Sequence, residues 1–474
     1  MEATKRLTRK QKNELGRRIW SADPGLEVVH RDVAGIDIGS RQHYVAVGPD
    51  RDTEPVRVFG CFTADLQGMV RFLKGCGIKG VVMQSTGVVY WIPVYDVLEE
   101  AGFEVWLVNA RDTKNLPGRK SDVQESPWLM KLHTYGLLRR SFRPTPEIRA
   151  VRTCWRERAE YVQQAGMCMQ RMHKALTEMN IQIGTVLSDL SGTTGMGMVR
   201  AIVGGERDAN NLADFRDPRV KASRETIVLS LQGTWQSEQV AILKRQLADW
   251  DHVQKQIRAC DQDRKALMRK LPDAQVAPGD RPPAPEQPGK RGHKKNGKSS
   301  RNEPGFDLAA ELKRVTGVDL TRIDGVKVNT IQTVIAEAGL DMSRWLTENH
   351  FVSWLGLSPR NDTSGGKVLN RGTRKVVSRL ATALRMAASS LRNSDSYLGA
   401  QFRRLRTRLG APKALTAMAA KLARLIYRLL RYGQEFVEKG AAAYEKKYCQ
   451  QQIELLAKKA AQHGFALVEI GQPA

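Results

Sequence analysis

Three groups of residues have types and spacings that could do chemistry. Asp37 falls in VAGIDI (33–38), between Ile36 and Ile38. A carboxylate in a buried strand costs several kcal/mol unless it is paired or binds a metal. Asp37 is therefore the leading site candidate of the N-terminal half, with a strand-edge Asp capping the Gly39 turn as the alternative. Asp122 and Glu125 lie three residues apart in RKSDVQES. On a helix both carboxylates share a face, within reach of one divalent cation, although such a pair in a first turn also serves the helix dipole. An acid on the first strand and a pair on a helix after the last strand would converge at one end of a sheet. Two ions about 4 Å apart could then activate a nucleophile and stabilise the leaving oxygen of a phosphodiester. Hard oxygen ligands imply Mg²⁺ or Mn²⁺.

The third group is NDTSGGKVLNRGTRKVVSRL (361–380). Ser364 precedes two glycines in a polar loop, so its hydroxyl can be exposed while the backbone of Gly365 and Gly366 approaches a phosphate. Lys367, Arg371, Arg374 and Lys375 would bring positive charge to the same place. The loop suits a serine nucleophile with electrostatic stabilisation of a pentacovalent phosphorane, or a phosphate grip with no covalent role. It is not a Walker A loop, because Val368 follows GGK. The GxG fragment in GTTGMGMVRA (192–201) lacks a preceding strand and carries almost no weight as a nucleotide site.

These residues need elements to hold them. VAGIDI (33–38), HYVAVG (43–48) and VRVFGCF (56–62) read as three strands joined by short turns. A helix over 64–75, a strand VVMQS (81–85), a helix 92–102 and a strand FEVWLVNA (103–110) follow. The order βββαβαβ is that of the ribonuclease H class, although doubly wound and actin-like domains can begin similarly. Ser126 and Pro127 form a good N-cap and N1 pair; a helix starting only there would leave Asp122 and Glu125 on a turn.

Beyond residue 143 the texture turns helical. Ile148, Val151, Trp155, Ala159, Val162, Ala165, Met169, Met172, Leu176 and Met179 step by three or four and make one apolar seam. Leu243, Leu247, Trp250, Val253, Ile257 and Cys260 make a second, in a partner helix beginning near Ile227, which predicts an antiparallel helical arm. Residues 271–305 are rich in Pro, Gly, Lys and Ser and read as a flexible basic linker. The stretch 306–438 reads as a second, mostly helical unit. Within it, 320–339 has the pattern helix, Gly hairpin, helix, able to dock on a phosphate backbone or to form a plain αα-corner. The expected organisation is a basic arm (1–32), an α/β domain (33–143), a helical arm (144–270), the linker, the serine-bearing unit (306–438) and a terminal helix and tail (439–474).

The chain has 474 residues, with 76 Lys and Arg against 50 Asp and Glu, a net charge of +26. That excess points to a polyanion. It is spread over the N-terminal arm, the linker and a C-terminal helix with Arg403, Arg404, Arg406 and Arg408, which suits a long nucleic acid better than a lipid surface. No 18-residue apolar run or secretory signal is visible. Six scattered cysteines, with no CxxC and no Cys/His cluster at zinc-ligand spacing, read as reduced and mostly structural. A soluble cytoplasmic protein with no membrane partner is expected. Trp20, Trp91, Trp128 and Trp345 could stack on bases or sit in cores.

GIDIGSRQHYVAV, MQSTGVVYWIPVYDVLEEAGFEVWLVNA, PGRKSDVQESPWLMKLHTYGLL, SGGKVLN and TRKVVSRLATALRMAASSL together resemble the RuvC-like DEDD transposases of bacterial insertion sequences, the bridge-RNA-guided recombinases. The resemblance runs from about residue 33 to 435, outside the linker. It implies an α/β plus all-α protein: a RuvC-like (ribonuclease H fold) catalytic domain, a coiled-coil arm and a helical C-terminal transposase domain. It also implies Mg²⁺-dependent excision and insertion of the element, with a structured guide RNA pairing with donor and target DNA. Asp37 corresponds to the first acid, Asp122 to the third, and Glu125 stands where the fourth, usually Asp, is expected. Ser364 corresponds to the serine that links covalently to DNA. The active site would combine one subunit's acids with another's serine in a tetramer, a dimer of dimers. Gln84 stands where the family usually has Glu; it offers one carbonyl oxygen and no charge, so metal affinity should fall. Asp96 and Glu99 on the next helix are the residues that could compensate. The rival readings are a junction-resolvase-like nuclease using water, a catalytically silent nucleic-acid binder, and an actin-like ATPase or sugar kinase, which GIDIGS also resembles but whose other loops are missing.

Overall fold

A computed structural model describes residues 27–85, 89–110, 122–274, 304–365, 367–374, 376, 378–433 and 440–466. The chain divides into two compact units, 1–143 and 144–474, each taken by itself below.

The first unit is built on a five-stranded sheet. Its strands are β1 (Val33–Ile38), β2 (Gln42–Ala46), β3 (Val56–Gly60), β4 (Gly80–Ser85) and β5 (Glu104–Asn109), in the order β3-β2-β1-β4-β5. β1, β2 and β3 pair antiparallel. β4 pairs parallel with both β1 and β5, because the helices α1 (Thr63–Gly75) and α2 (Trp91–Glu100) carry the chain back between them. Period-two alternation splits the sheet's side chains into two layers. Ala34, Ile36, Ile38, Val81, Met83, Val105 and Leu107 face α1 and α2. Val82 and Val108 face the other way, toward Leu129 and Leu132 of α3 (Asp122–Thr134).

α3 begins at Asp122, and Pro127 lies inside it. The Ser126–Pro127 start is thus corrected. The turn around the proline is seated directly on the sheet: a Cβ built on Gly35 would lie 2.1 Å from the Ser126 carbonyl oxygen and 2.6 Å from the Met130 amide nitrogen. Only glycine in β1 permits so close an approach, and that packing holds the helix through a residue that ordinarily ends one.

In the second unit α4 (Pro146–Glu178) and α6 (Ser237–Lys270) run antiparallel, with Cys154 near Cys260 and Ala165 packed with Val253 and Ile257. The segment between them, including α5 (Thr193–Val203), folds over their far ends around Met196, Val199, Ile202 and Leu212. α6 starts later than the sequence predicts, because Ile227 belongs to a separate short helix, Arg224–Ser230. The GxG fragment is helical: Gly195 packs on the Leu190 carbonyl and Gly197 on the Phe215 ring. The α4 seam also differs at one layer. Ala159 is exposed and Arg158 is buried. The Arg158 Nε donates to Asp261 at 2.7 Å, and Arg264 Nη2 donates to the same carboxylate at 2.8 Å. An ionic layer replaces an apolar one there: Arg158 of α4 and Arg264 of α6 share the Asp261 carboxylate of α6.

After residue 304 come α7 (Leu308–Thr316), α8 (Val328–Ala338), α9 (Glu348–Trp354), the strands β6 (Pro359–Ser364) and β7 (Lys367–Thr373), then α10 (Arg379–Ser390), α11 (Tyr397–Leu409), α12 (Ala411–Tyr432) and α13 (Gly440–Gln462). Arg314 of α7 donates to the Met268 and Leu271 carbonyls at the end of α6, and Arg152 of α4 donates to the Ala336 and Glu337 carbonyls at the end of α8. α4 and α6 are thereby both fastened to the C-terminal helices. The first helix expected in 320–339 is a single 3₁₀ turn, Leu320–Arg322, and Gly325 packs against the Ala387 carbonyl and Leu391. The Gly325 turn is thus packed against the protein itself, and 320–339 holds one α-helix, not two.

Candidate active site

β1 and β4 run in parallel register, with Ile36 opposite Met83. One step further, Asp37 stands beside Gln84 at the carboxyl ends of the two central strands, on the face that α3 covers. Asp37 is half-buried and Gln84 is 8% exposed; both have polar partners. The Gly39 turn closes through its own backbone, the Gly39 amide donating to the Gln42 carbonyl at 3.1 Å.

α3 runs opposite to β1. His133 near its end lies by Gly80 at the start of β4, and Ser126 lies over Gly35. The first turn of α3, with Asp122 and Glu125, therefore starts at the same end of the sheet as Asp37 and Gln84. Glu125 is exposed. The Asp122 side chain lies outside the described residues. Among those described, no cluster of three or more His, Cys, Asp or Glu stands together. The donors that stand side by side there, the Asp37 carboxylate and the Gln84 amide oxygen, are hard oxygens of the kind Mg²⁺ takes.

Asp96 and Glu99 are not at this site. They face Arg143, which donates to Asp96 at 2.7 Å and lies 3.9 Å from the Tyr95 ring centre. α2 packs on the opposite face of the sheet from α3, so neither residue substitutes for a charge at position 84.

Ser364 closes β6 and is exposed; Gly365 follows in the left-handed region at φ 54°. The serine thus sits at the tip of an antiparallel ribbon, paired with Lys367, rather than in an irregular loop. The polar, Gly-rich composition obscured the strands, which pair only with each other. Lys367 is exposed. Arg374 is exposed and donates to the Ser353 and Trp354 carbonyls, fixing the ribbon's base to the end of α9. The Arg371 side chain and Lys375 lie outside the described residues. On α11, Arg403 donates to the Ser394 carbonyl at 2.6 Å; Arg404 pairs with Glu445 at 2.7 Å and covers the Tyr448 ring. Arg406 and Arg408 are exposed. Trp345 is buried against Phe351 and Trp354, and Trp91 and Trp128 pack on the two sides of the sheet. Trp20 lies outside the described residues.

The chain thus joins an α/β unit, with Asp37 and Gln84 at the carboxyl ends of its central strands, to a mostly helical unit with an exposed serine. Residues 34–181 match the DEDD transposases of IS110 elements, and residues 319–403 match the transposases of the IS116/IS110/IS902 family. The two matches indicate an IS110-family transposase, the insertion-sequence class that the motifs resemble. No curated protein matches it. Among the described residues no helix is long and apolar enough to cross a membrane.

Proposed function

We propose that this transposase excises and inserts its element by Mg²⁺-dependent cleavage and rejoining of DNA through Ser364. The observation that supports the reading is Asp37 beside Gln84 at the carboxyl ends of β1 and β4, the end of the sheet at which α3 begins. The strand order β3-β2-β1-β4-β5 supports a RuvC-like, ribonuclease H-type domain, and the antiparallel pair α4 and α6 supports a coiled-coil arm. Asp37, Asp122 and Glu125 would hold Mg²⁺, with Gln84 as a fourth, neutral ligand. The bound ion supplies charge stabilisation to the phosphodiester.

Ser364 binds and reacts at the phosphorus. Its oxygen forms a bond to phosphorus, its proton passes to solvent, and the bond from phosphorus to one deoxyribose oxygen breaks. That oxygen leaves as a hydroxyl after taking a proton. Rejoining is the reverse, with a hydroxyl of the second strand displacing the serine. Lys367, Arg371, Arg374 and Lys375 offset phosphate charge near the ribbon, and Arg403 and Arg404 belong to the basic helix that lies along the nucleic acid. The net charge of +26 supports more than one nucleic acid at once, here donor and target DNA with a structured guide RNA. A homo-oligomer, a dimer of dimers, would bring one subunit's acids to another's serine in the bacterial cytoplasm.

The test is a strand-joining assay with denaturing gels. Ser364→Ala should abolish joining and the protein–DNA adduct while leaving RNA binding intact, and Asp37→Asn should stop cleavage. Cleavage in Mg²⁺ with no adduct from the unaltered protein would instead make it a resolvase-like nuclease, and no cleavage by it at all would favour a silent binder.

A further inference from the structure

β6 and β7 are a polar ribbon, PRNDTS facing KVLNRGT. Thr363 pairs with Val368 and Asp362 with Asn370, so Leu369 is the extra residue of a β-bulge. Its side chain is 71% exposed. Burying a leucine is favourable, and here the protein leaves that undone at the bulge. A bulge re-aims the side chain that it carries. The bulge lies two residues beyond Lys367, the cross-strand partner of Ser364.

We propose that Leu369 is an apolar wedge that inserts between two stacked base pairs beside the phosphodiester attacked by Ser364. This rests on the DNA reading above. A two-stranded ribbon is narrow enough to enter a groove, and apolar side chains pushed between base steps unstack and kink the duplex. Leucine has no polar atom with which to read a base edge. What it selects is a step that opens easily, a pyrimidine–purine step such as TA or CA. Leu369 is then a positioning residue that also sets a step preference at the cut.

The experiment uses the full chain with its co-purified nucleic acid, and duplexes spanning the joint between the encoding element and its flank. 2-Aminopurine is placed at successive steps, and anisotropy reports binding in parallel. The unaltered protein should raise 2-aminopurine fluorescence at one step beside the cleaved bond. Leu369→Ala should remove that rise and slow cleavage about tenfold with binding unchanged, and Leu369→Met should restore both. Equal fluorescence for the unaltered protein and Leu369→Ala, with both bound, overturns the wedge. If Leu369→Ala leaves fluorescence unchanged but shifts the protein to a smaller size on gel filtration, Leu369 is a contact between copies and the proposal fails. Absence of duplex binding by the unaltered protein removes the DNA reading as well, a result distinguishable from the others by anisotropy alone.

Discussion

Asp37 and Gln84 stand side by side on adjacent parallel strands, one step beyond the Ile36–Met83 pair. An amide there accepts the nearness of a carboxylate at no electrostatic cost, whereas a second carboxylate would be repelled by Asp37 unless a cation lay between them. Gln84→Glu should therefore make the protein less stable in chelator and more stable than the parent's own response in excess Mg²⁺. It should also lower the Mg²⁺ needed for cleavage by about tenfold. Thermal melting with and without metal, together with a Mg²⁺ titration of cleavage, checks this. An unchanged metal dependence would separate position 84 from the metal.

Gly35 sets how closely α3 approaches β1. A valine there must displace the Ser126–Met130 turn, since its Cβ alone would sit 2.1 Å from the Ser126 oxygen. Gly35→Val should cost at least the ~1–3 kcal/mol of overpacking and abolish cleavage even where the protein folds, because the first turn of α3 moves with the helix. Unfolding in urea and a cleavage assay on the folded fraction are the measurements; full activity would show that α3 does not position the acids.

His133 is buried in α3, its ring 4.6 Å from that of His30. Burial, with the neighbouring His30 adding to it, pushes its pKa down to about 4. Above pH 6.5 both folded and unfolded forms are neutral and stability is complete. As pH falls from about 6.5 to about 4 the unfolded chain takes up a proton that the folded one refuses, so stability declines across that window by at most ~3 kcal/mol. His133→Phe should flatten melting temperature against pH between 4 and 6.5. A slope identical to the parent's would place the linkage elsewhere.

Arg158, Asp261 and Arg264 are all buried, and burial pushes the Arg264 guanidinium down to about 10. Asp261→Asn would remove the buried counter-charge that both guanidiniums share, and the expected loss is ~3–5 kcal/mol. Urea unfolding followed by circular dichroism reads it directly. A loss below about 1 kcal/mol, the scale of a surface pair, would mean that the layer is open to water.

Periodicity was enough to read the strands of the first unit. The short β-rich runs at 33–38, 56–62, 81–85 and 103–110 correspond to β1, β3, β4 and β5 within two residues, because the preference to extend and bury belongs to each strand's own residues. Apolar steps of three and four marked α4 and α6 for the same reason. Asp37 was legible as an anomaly, a charge inside such a run. What local pattern could not carry is what depends on a neighbour distant in sequence. Pro127 reads as a helix start until Gly35 is seen beneath it. Ala159 reads as seam until Asp261 faces Arg158 instead. Asp96 and Glu99 read as possible ligands until Arg143 claims them. Ser364 reads as a loop residue because β6 and β7 have only each other to pair with, and Leu369 reads as one more strand residue until the register leaves it unpaired. Residue type and spacing determined which side chains could do chemistry. Pairing, register and close approach decided which of them meet, because those are set by atoms that the chain brings together only once it has folded.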